Sequence, residues 1–151
     1  MAASNVIIAS GTVVSVSAAE PATYDSAGFG ALSFTAVGEV LSLGEFGGAA
    51  QVQTFTPLAT GIVNKRKGSI DYGTANMSIA NDEADAGQIL LKAGFDGADR
   101  DTIHSFKVEN SDGDIAYFTG MISSFSTVTN DANTVITVNC NIELTNSVVD
   151  A

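Results

Sequence analysis

The sequence is poor in the residue types that most active sites need. It has one cysteine, one histidine, no tryptophan and only six lysine or arginine residues among 151. A single cysteine excludes an intrachain disulfide and any multi-cysteine zinc or iron–sulfur site. Cys140 and His104 could form the one nucleophilic dyad, but they lie in separate strand-like runs, and such a dyad needs contact and an orienting third group. We therefore expect no enzymatic activity and no cofactor.

Long apolar runs are also absent. No stretch of about 18 apolar residues occurs, so we expect no membrane-spanning helix. Residues 1–5 lack the positive charge of a signal peptide, and the apolar run after them is too short for one. The length, with 45% hydrophobic residues and eight phenylalanines, predicts one folded domain with its own core.

Positive charge is scarce. Six basic residues against 17 acidic ones give a formal net charge of -11. Such a surface repels nucleic acid, because phosphate binding needs clustered lysine and arginine. Two interpretations stay open from composition alone: the charge serves solubility, or it forms a wall that DNA passes without adhering.

Acidic clusters at residues 96–101 and 110–114 invite comparison with calcium sites. An EF-hand loop places oxygen ligands at alternate positions, then a glycine, then a distant glutamate. Val108 occupies the first ligand position of the second cluster, and the first cluster has no glutamate at the required distance. Because Asp, Asn and Gly also stabilise turns, we interpret both clusters as turns and expect no metal.

Alternation of apolar and polar residues predicts most of the strands. Residues 136–144 alternate throughout, which predicts a half-buried strand with Cys140 on its apolar face. Residues 115–125 are apolar in both phases, so we expect that strand to be covered on both sides. A type I′ turn at Asp112-Gly113 should join it to a partner strand over 102–109, and a second turn is expected at 129–133.

The remaining elements are shorter. Strands are expected over 12–17 and 36–43, and a change of phase beside Gly73 predicts a bulge or bend between strand-like residues. One helix should begin at Asn81 or Asp82, bury the stripe formed by Ala86, Ile89, Leu90 and Ala93, and end at Gly94. These elements together predict a mainly β fold: a β-sandwich or half-barrel with one flanking α-helix and a long inter-strand loop.

The long loop, at 44–67, ends in a concentrated cationic segment. Lys65, Arg66 and Lys67 are half of the basic residues of the chain. They could form a solvated turn. Nucleic acid is a poor partner, since only three other basic residues are available to extend the patch. The acidic surface of a second copy is the other candidate, because complementary charges set register in self-assembly.

Several segments in this order resemble the tail tube (major tail) proteins of long-tailed, non-contractile bacteriophages. The resemblance spans most of residues 24–145, and no single segment carries it alone. The segments are Val37–Gly48, Thr56–Thr60, Lys65–Ser69, Asn81–Gln88 and Tyr117–Gly120.

The resemblance implies a single tail-tube domain over residues 1–151, with an N-terminal arm and first strand at 1–20 and an assembly loop at 44–67. It implies a structural virion protein without enzymatic activity, assembled as stacked rings of six. DNA would pass through the lumen, and the tube would meet tail tip or baseplate and terminator proteins. The subunit would be made in the host cytoplasm, with no membrane partner.

Two groups of residues are the candidate functional sites under this interpretation. The loop, its cations and the acidic residues that could meet them should form contacts between subunits. The polar face of the strand over 136–144 should line the channel. The contact residues are Glu45, Phe46, Gly47, Gly48, Phe55, Lys65, Arg66, Lys67, Asp82 and Glu83, and the lumen residues are Asn141 and Glu143.

The alternative from another class is a soluble β-sandwich module that binds carbohydrate or a receptor. Such modules usually present aromatic platforms, whereas this chain has no tryptophan and three tyrosines. The composition therefore favours the tail tube interpretation.

Overall fold

The computed structural model describes residues 6–97 and 102–151, and its architecture is mainly β. Two helices occur within those ranges, α1 (Ser26–Gly30) and α2 (Ala86–Asp96). The strands there are β1 (Val13–Ser17), β2 (Thr35–Ala36), β3 (Val40–Ser42), β4 (Ala49–Phe55), β5 (Asn64–Asp71), β6 (Thr74–Ala80), β7 (His104–Glu109), β8 (Ile115–Val128), β9 (Thr137–Leu144) and β10 (Val149–Asp150).

Eight of these strands form one antiparallel sheet in the order β2-β1-β7-β8-β9-β6-β3, with β10 also paired to β8. The sheet curls into a half-barrel, and α2 packs against it. The predicted mainly β fold with a flanking helix is confirmed, and of the two forms considered the half-barrel is the one observed. Among the described strands, β4 and β5 pair only with each other, as a separate two-stranded ribbon.

The core lies on one face of the curled sheet. Along β9 the burial alternates as predicted, with Val138, Cys140 and Ile142 fully buried, although Ile136 precedes the strand and stays 42% exposed. Among the other large side chains buried there are Phe106, Phe118, Met77, Ile79 and Leu91.

β8 is covered on both faces near its start, as its apolar pattern predicted. Phe118 stacks on Phe106 in the core, with ring centroids 5.2 Å apart. Tyr117 points to the other face and stacks on Phe29 of α1 at 5.0 Å. The second cover is therefore α1, a short helix that the sequence pattern over residues 24–34 did not define.

The hairpin between β7 and β8 is confirmed, but the predicted turn type is wrong. Gly113 donates its N–H to the Asn110 carbonyl, and Gly113 alone in the turn has positive φ, at 96°. A type I′ turn needs positive φ at both central residues. Here the glycine instead closes the turn from the position after the central pair. The turn near Asp131 is confirmed by the hydrogen bond from Thr134 N–H to the Asp131 carbonyl.

The predicted strand over 36–43 is two short strands, β2 and β3, separated by a bend. Glu39 lies in that bend with φ of 56°, a left-handed conformation that breaks the extended run. The bend predicted at Gly73 is present: this residue has φ of 80° and joins the ribbon to β6 of the main sheet.

The helix is confirmed, but its predicted cap, buried face and end are wrong. Asp85, not Asn81 or Asp82, is the N-cap, and its carboxylate accepts the Gln88 N–H at 3.0 Å. The helix continues through Gly94 to Asp96. Gly94 packs beside the His104 ring, where a Cβ would lie 2.8 Å from the ring, so this glycine serves close packing and does not end the helix.

The buried residues of α2 are Gly87, Gln88 and Leu91. Of the predicted stripe, Leu90 is half-buried and packs against the core, whereas Ile89 is 53% exposed and Ala86 and Ala93 are not among the buried residues. The reason is close backbone approach: a Cβ at Gly87 would lie 2.4 Å from the Ala36 carbonyl oxygen. The helix face that carries Gly87 is therefore the one that packs, whereas the apolar pattern of the sequence predicted a different face.

Candidate assembly surface

The segment predicted as a loop extends from the sheet as a β-ribbon, which we call the arm (residues 49–71). All residues of β5 and all but Ala50 of β4 are exposed. The exposed apolar side chains on the arm include Val52, Phe55, Leu58, Ile62, Val63 and Ile70. A lone two-stranded ribbon is marginally stable in water, and clustered exposed apolar residues mark interaction surfaces.

The register of the arm divides its side chains between two faces. Val52 is opposite Lys67 and Thr54 is opposite Lys65. The register shifts between these pairs and the Ala50–Ile70 pair, because β5 has one residue more than β4 there. Directly opposite residues project to the same side, so these six residues share one face, which we call the cationic face. Gln53 with Arg66, and Phe55 with Asn64, point the other way. The basic triplet is therefore in a strand and not in a turn, and it presents two cations to one side and one to the other.

The start of the predicted loop serves as the base of the arm. Phe46 is half-buried and stacks on Phe118, with ring centroids 5.3 Å apart, so its ring is part of the core. Gly47 has φ of 145°, and a Cβ on Gly48 would lie 3.0 Å from the Tyr72 ring. Glu45 is exposed beside them.

The acidic candidates Asp82 and Glu83 are exposed and form one wall of an open groove between α2 and β8. The groove has a volume of about 600 Å³. Asp96 and Lys92 also line it, giving three carboxylates against one ammonium group, and its floor includes Ile89, Phe125 and Thr127. We call it the α2–β8 groove.

One edge of β8 is open beside this groove. β7 pairs with residues 115–120 of β8, whereas β9 pairs on the opposite side with residues 120–128. Within residues 6–97 and 102–151, no strand pairs with the β7-side edge beyond Gly120. An unpaired edge presents free backbone N–H and C=O groups to an incoming strand.

The two predicted lumen residues lie on the face of the sheet opposite the core, within a polar surface. On β9 the face carries Thr137, Asn139, Asn141 and Glu143, and across from them β6 places Ala80, Ser78, Asn76 and Thr74. Ser124 and Ser126 of β8 extend it, and Met121 and Val128 lie at its two ends. Glu143 is the one charged residue among these, and its carboxylate accepts a hydrogen bond from the Thr74 hydroxyl at 2.6 Å.

Cys140 and His104 do not form a dyad. His104 is aligned across β8 with Leu144, two strands away from Cys140 and four residues farther along β9. Burial raises the pKa of the Cys140 thiol to about 12, which removes the thiolate needed for nucleophilic attack. Burial is also the main cause that lowers the pKa of His104.

Other site chemistry is equally sparse in the described part of the chain. Among residues 6–97 and 102–151, no group of three or more His, Cys, Asp or Glu side chains converges as a metal site. Most of the acidic cluster at 96–101 lies outside those residues. No helix in them is long and apolar enough to cross a membrane.

Similarity to known proteins is visible in structure only. No protein-family model matches the chain, and no curated protein matches it by sequence. A component of the anti-feeding prophage (AFP) baseplate aligns over 99% of this chain and 97% of its own, with a TM-score of 0.71 and 6% identity. The sheath/tube terminator structure of the PVC extracellular contractile injection system aligns over 99% of both chains, with a TM-score of 0.68 and 10% identity.

A subunit of the SPP1 tail tube aligns over 95% of this chain and 78% of its own, with a TM-score of 0.61 and 12% identity. The chain has a tail-tube-like fold. This fold is shared by contractile injection systems and the SPP1 tail tube, and the neighbours are structural components and not enzymes.

The sequence pattern singled out the segment of the arm, its cations and the acidic pair as candidates, but it did not reveal the groove. It predicted a loop in place of the arm because a strand exposed on both faces has no apolar alternation. The groove depends on where β7 stops pairing with β8, and no local sequence signal encodes that position.

Proposed function

We propose that this chain is the tail tube protein of a long-tailed, non-contractile bacteriophage. Its subunits assemble as stacked rings of six, and DNA passes through the lumen during ejection without specific binding. The tube meets the tail tip or baseplate at one end and a tail terminator at the other. The protein is made in the host cytoplasm and functions in the virion.

The observation that carries this proposal is the arm. On a tail-tube-like fold, it exposes both of its faces and an apolar tip in which Leu58 is fully accessible. Such a ribbon gains stability only when it is covered. In the proposed tube, neighbouring subunits and the adjacent ring cover it, with contacts from Glu45, Phe46, Gly47, Gly48, Phe55 and the basic triplet, and with Asp82 and Glu83 as acidic partners.

The polar face of β6, β8 and β9 supports a role as channel lining. Its amide and hydroxyl groups carry no cation that would hold a phosphate. In a ring of this kind, Asn141 and Glu143 of each subunit face the lumen. Glu143 then supplies the charge on this part of the wall, so the net charge of -11 is located mainly on other surfaces.

Electron microscopy of the purified full-length chain at rising concentration tests the proposal. We expect rings and tubes of uniform width with six-fold symmetry, and we expect a chelator to leave them intact. A variant in which residues 49–71 are replaced by a short glycine–serine linker should keep its circular dichroism spectrum and form no tubes. A chain that stays monomeric and binds a glycan array would instead be a soluble binding module.

A further inference from the structure

We propose that the α2–β8 groove is the seat for the arm of a second copy of this chain, which enters with its cationic face toward the groove. The inference rests on the proposed function, since it names the surface through which subunits of the tube would join. It goes beyond that function by assigning one face of the arm and one recess of the neighbour to each other.

The charges of the two surfaces are complementary. Lys65 and Lys67 project from the cationic face, and both are exposed. The groove carries Asp82, Glu83 and Asp96 against a single Lys92. Lys107 with Glu109 is the one ion pair among the described residues of the chain, so the arm cations have no carboxylate partner in their own described chain.

The apolar parts are complementary as well. Val52 and Ile70 flank the two lysines on the cationic face and are 58% and 53% exposed. The groove floor presents Ile89, which is 53% exposed, and the half-buried ring of Phe125. Removing such side chains from water contributes about 25 cal/mol per Å² of apolar surface, so the cations direct the arm and the apolar contact supplies most of the affinity.

The backbone of the groove favours a strand as its occupant. Phe125 and Thr127 line the groove and lie beyond Gly120 on β8, where no strand among the described residues pairs with the β7-side edge. A ribbon has an outer edge of its own. Pairing of these two edges is the strand-addition mode of recognition, in which backbone hydrogen bonds give affinity and side-chain pockets give specificity. The acidic wall excludes a nucleic acid strand, and the exposed state of every β5 residue shows that the arm does not occupy the groove of its own chain.

Cysteine pairing between copies tests the seat directly. Val52→Cys protein and Thr127→Cys protein are mixed at assembly concentration under mild oxidation, and the peptide pair that joins the two introduced cysteines is measured by mass spectrometry. We expect this inter-copy disulfide to form. Gln53→Cys, on the opposite face of the arm, replaces Val52→Cys in the matched control and should give at least about tenfold less product with Thr127→Cys, because disulfide geometry tolerates only short Cα separations. Native Cys140 is buried and does not compete.

Charge reversal tests the orientation. Lys65→Glu with Lys67→Glu should raise the protein concentration needed for half-assembly by about tenfold or more, since repulsion replaces two favourable pairs. Asp82→Lys with Glu83→Lys in the same chain should restore part of that loss. Gln53→Glu with Asn64→Glu, which adds negative charge to the opposite face of the arm, is the matched control and should have a much smaller effect. Circular dichroism checks that each variant folds.

The outcomes distinguish a failure of the proposed contact between arm and groove from a failure of the proposed function. Tubes that form without the disulfide between Val52→Cys and Thr127→Cys overturn the seat and leave the proposed function standing. Tubes equally sensitive to the Gln53→Glu, Asn64→Glu variant and to the double lysine variant do the same. The disulfide without tubes supports the seat and overturns the function. The absence of both overturns both.

Discussion

The side chain of Gln88 links α2 to the backbone of neighbouring segments through hydrogen bonds. It is 3% exposed. Its side-chain amide donates to the carbonyls of Gly38 and Ala80 at 3.1 and 2.9 Å, and its Oε1 accepts the Asp82 N–H at 2.9 Å. One side chain therefore satisfies three backbone groups from two segments, at Gly38 and at residues 80–82, near the start of the helix.

Replacing Gln88 with methionine should be strongly destabilising. The shape is largely kept, but the three backbone groups lose their partner, and an unsatisfied buried polar group costs about 1–3 kcal/mol. We expect a loss of about 3 kcal/mol or more in the free energy of unfolding, measured by denaturant titration. Lys92→Met, in the same helix but exposed, is the control and should change it by less than about 0.5 kcal/mol. Equal losses in the two variants would show that the amide is not the anchor.

Helix α2 shows at the level of an element what sequence patterns can and cannot specify. Its existence was predictable from acidic residues preceding an apolar stripe. Its docked face was not, because Gly87 and Gly94 approach other elements and glycine carries no apolar signal. The burial pattern of β9 was predictable almost residue by residue, since one of its faces is buried and the other is polar. The pairing of β4 with β5 was not, because neither face is buried within the chain.

The docking of α2 predicts contrasting effects for two glycines. A Cβ at Gly87 would lie 2.6 Å from the Val37 Cα, whereas a Cβ at Gly30 meets nothing within 4 Å. Gly87→Ala should therefore lower the free energy of unfolding by about 1–3 kcal/mol through overpacking. Gly30→Ala should leave it unchanged or raise it by up to about 1 kcal/mol. Thermal or urea unfolding measures both, and a neutral Gly87→Ala would contradict the observed close approach.

The stability of the whole molecule should fall in acid in two stages. Burial lowers the pKa of His104 in the folded protein, so the unfolded chain binds the proton first and stability falls as pH drops below about 6.5. Hydrogen bonds also lower the carboxyl pKa values of Asp25, mainly from the Gly28 N–H, and Asp131, mainly from the Thr134 hydroxyl. Their contribution is present above about pH 4 and is lost as pH falls further.

Unfolding midpoints measured from pH 8 to pH 3 check this expectation. His104→Gln should remove the first stage and leave the second, whatever its effect on the midpoint at neutral pH. A first stage that persists in the variant would show that another group is responsible.

The alternation of side chains along β5 has a consequence for how the arm can vary. Lys65 and Lys67 point to one side and Arg66 to the other because successive side chains of a strand point to opposite faces. An insertion or deletion of one residue between them would exchange the two faces for every position beyond it, unless a bulge of the kind present between Lys67 and Ile70 absorbed the change. In the proposed assembly, the number of residues in each strand of the arm would therefore be constrained together with the identity of its charged side chains.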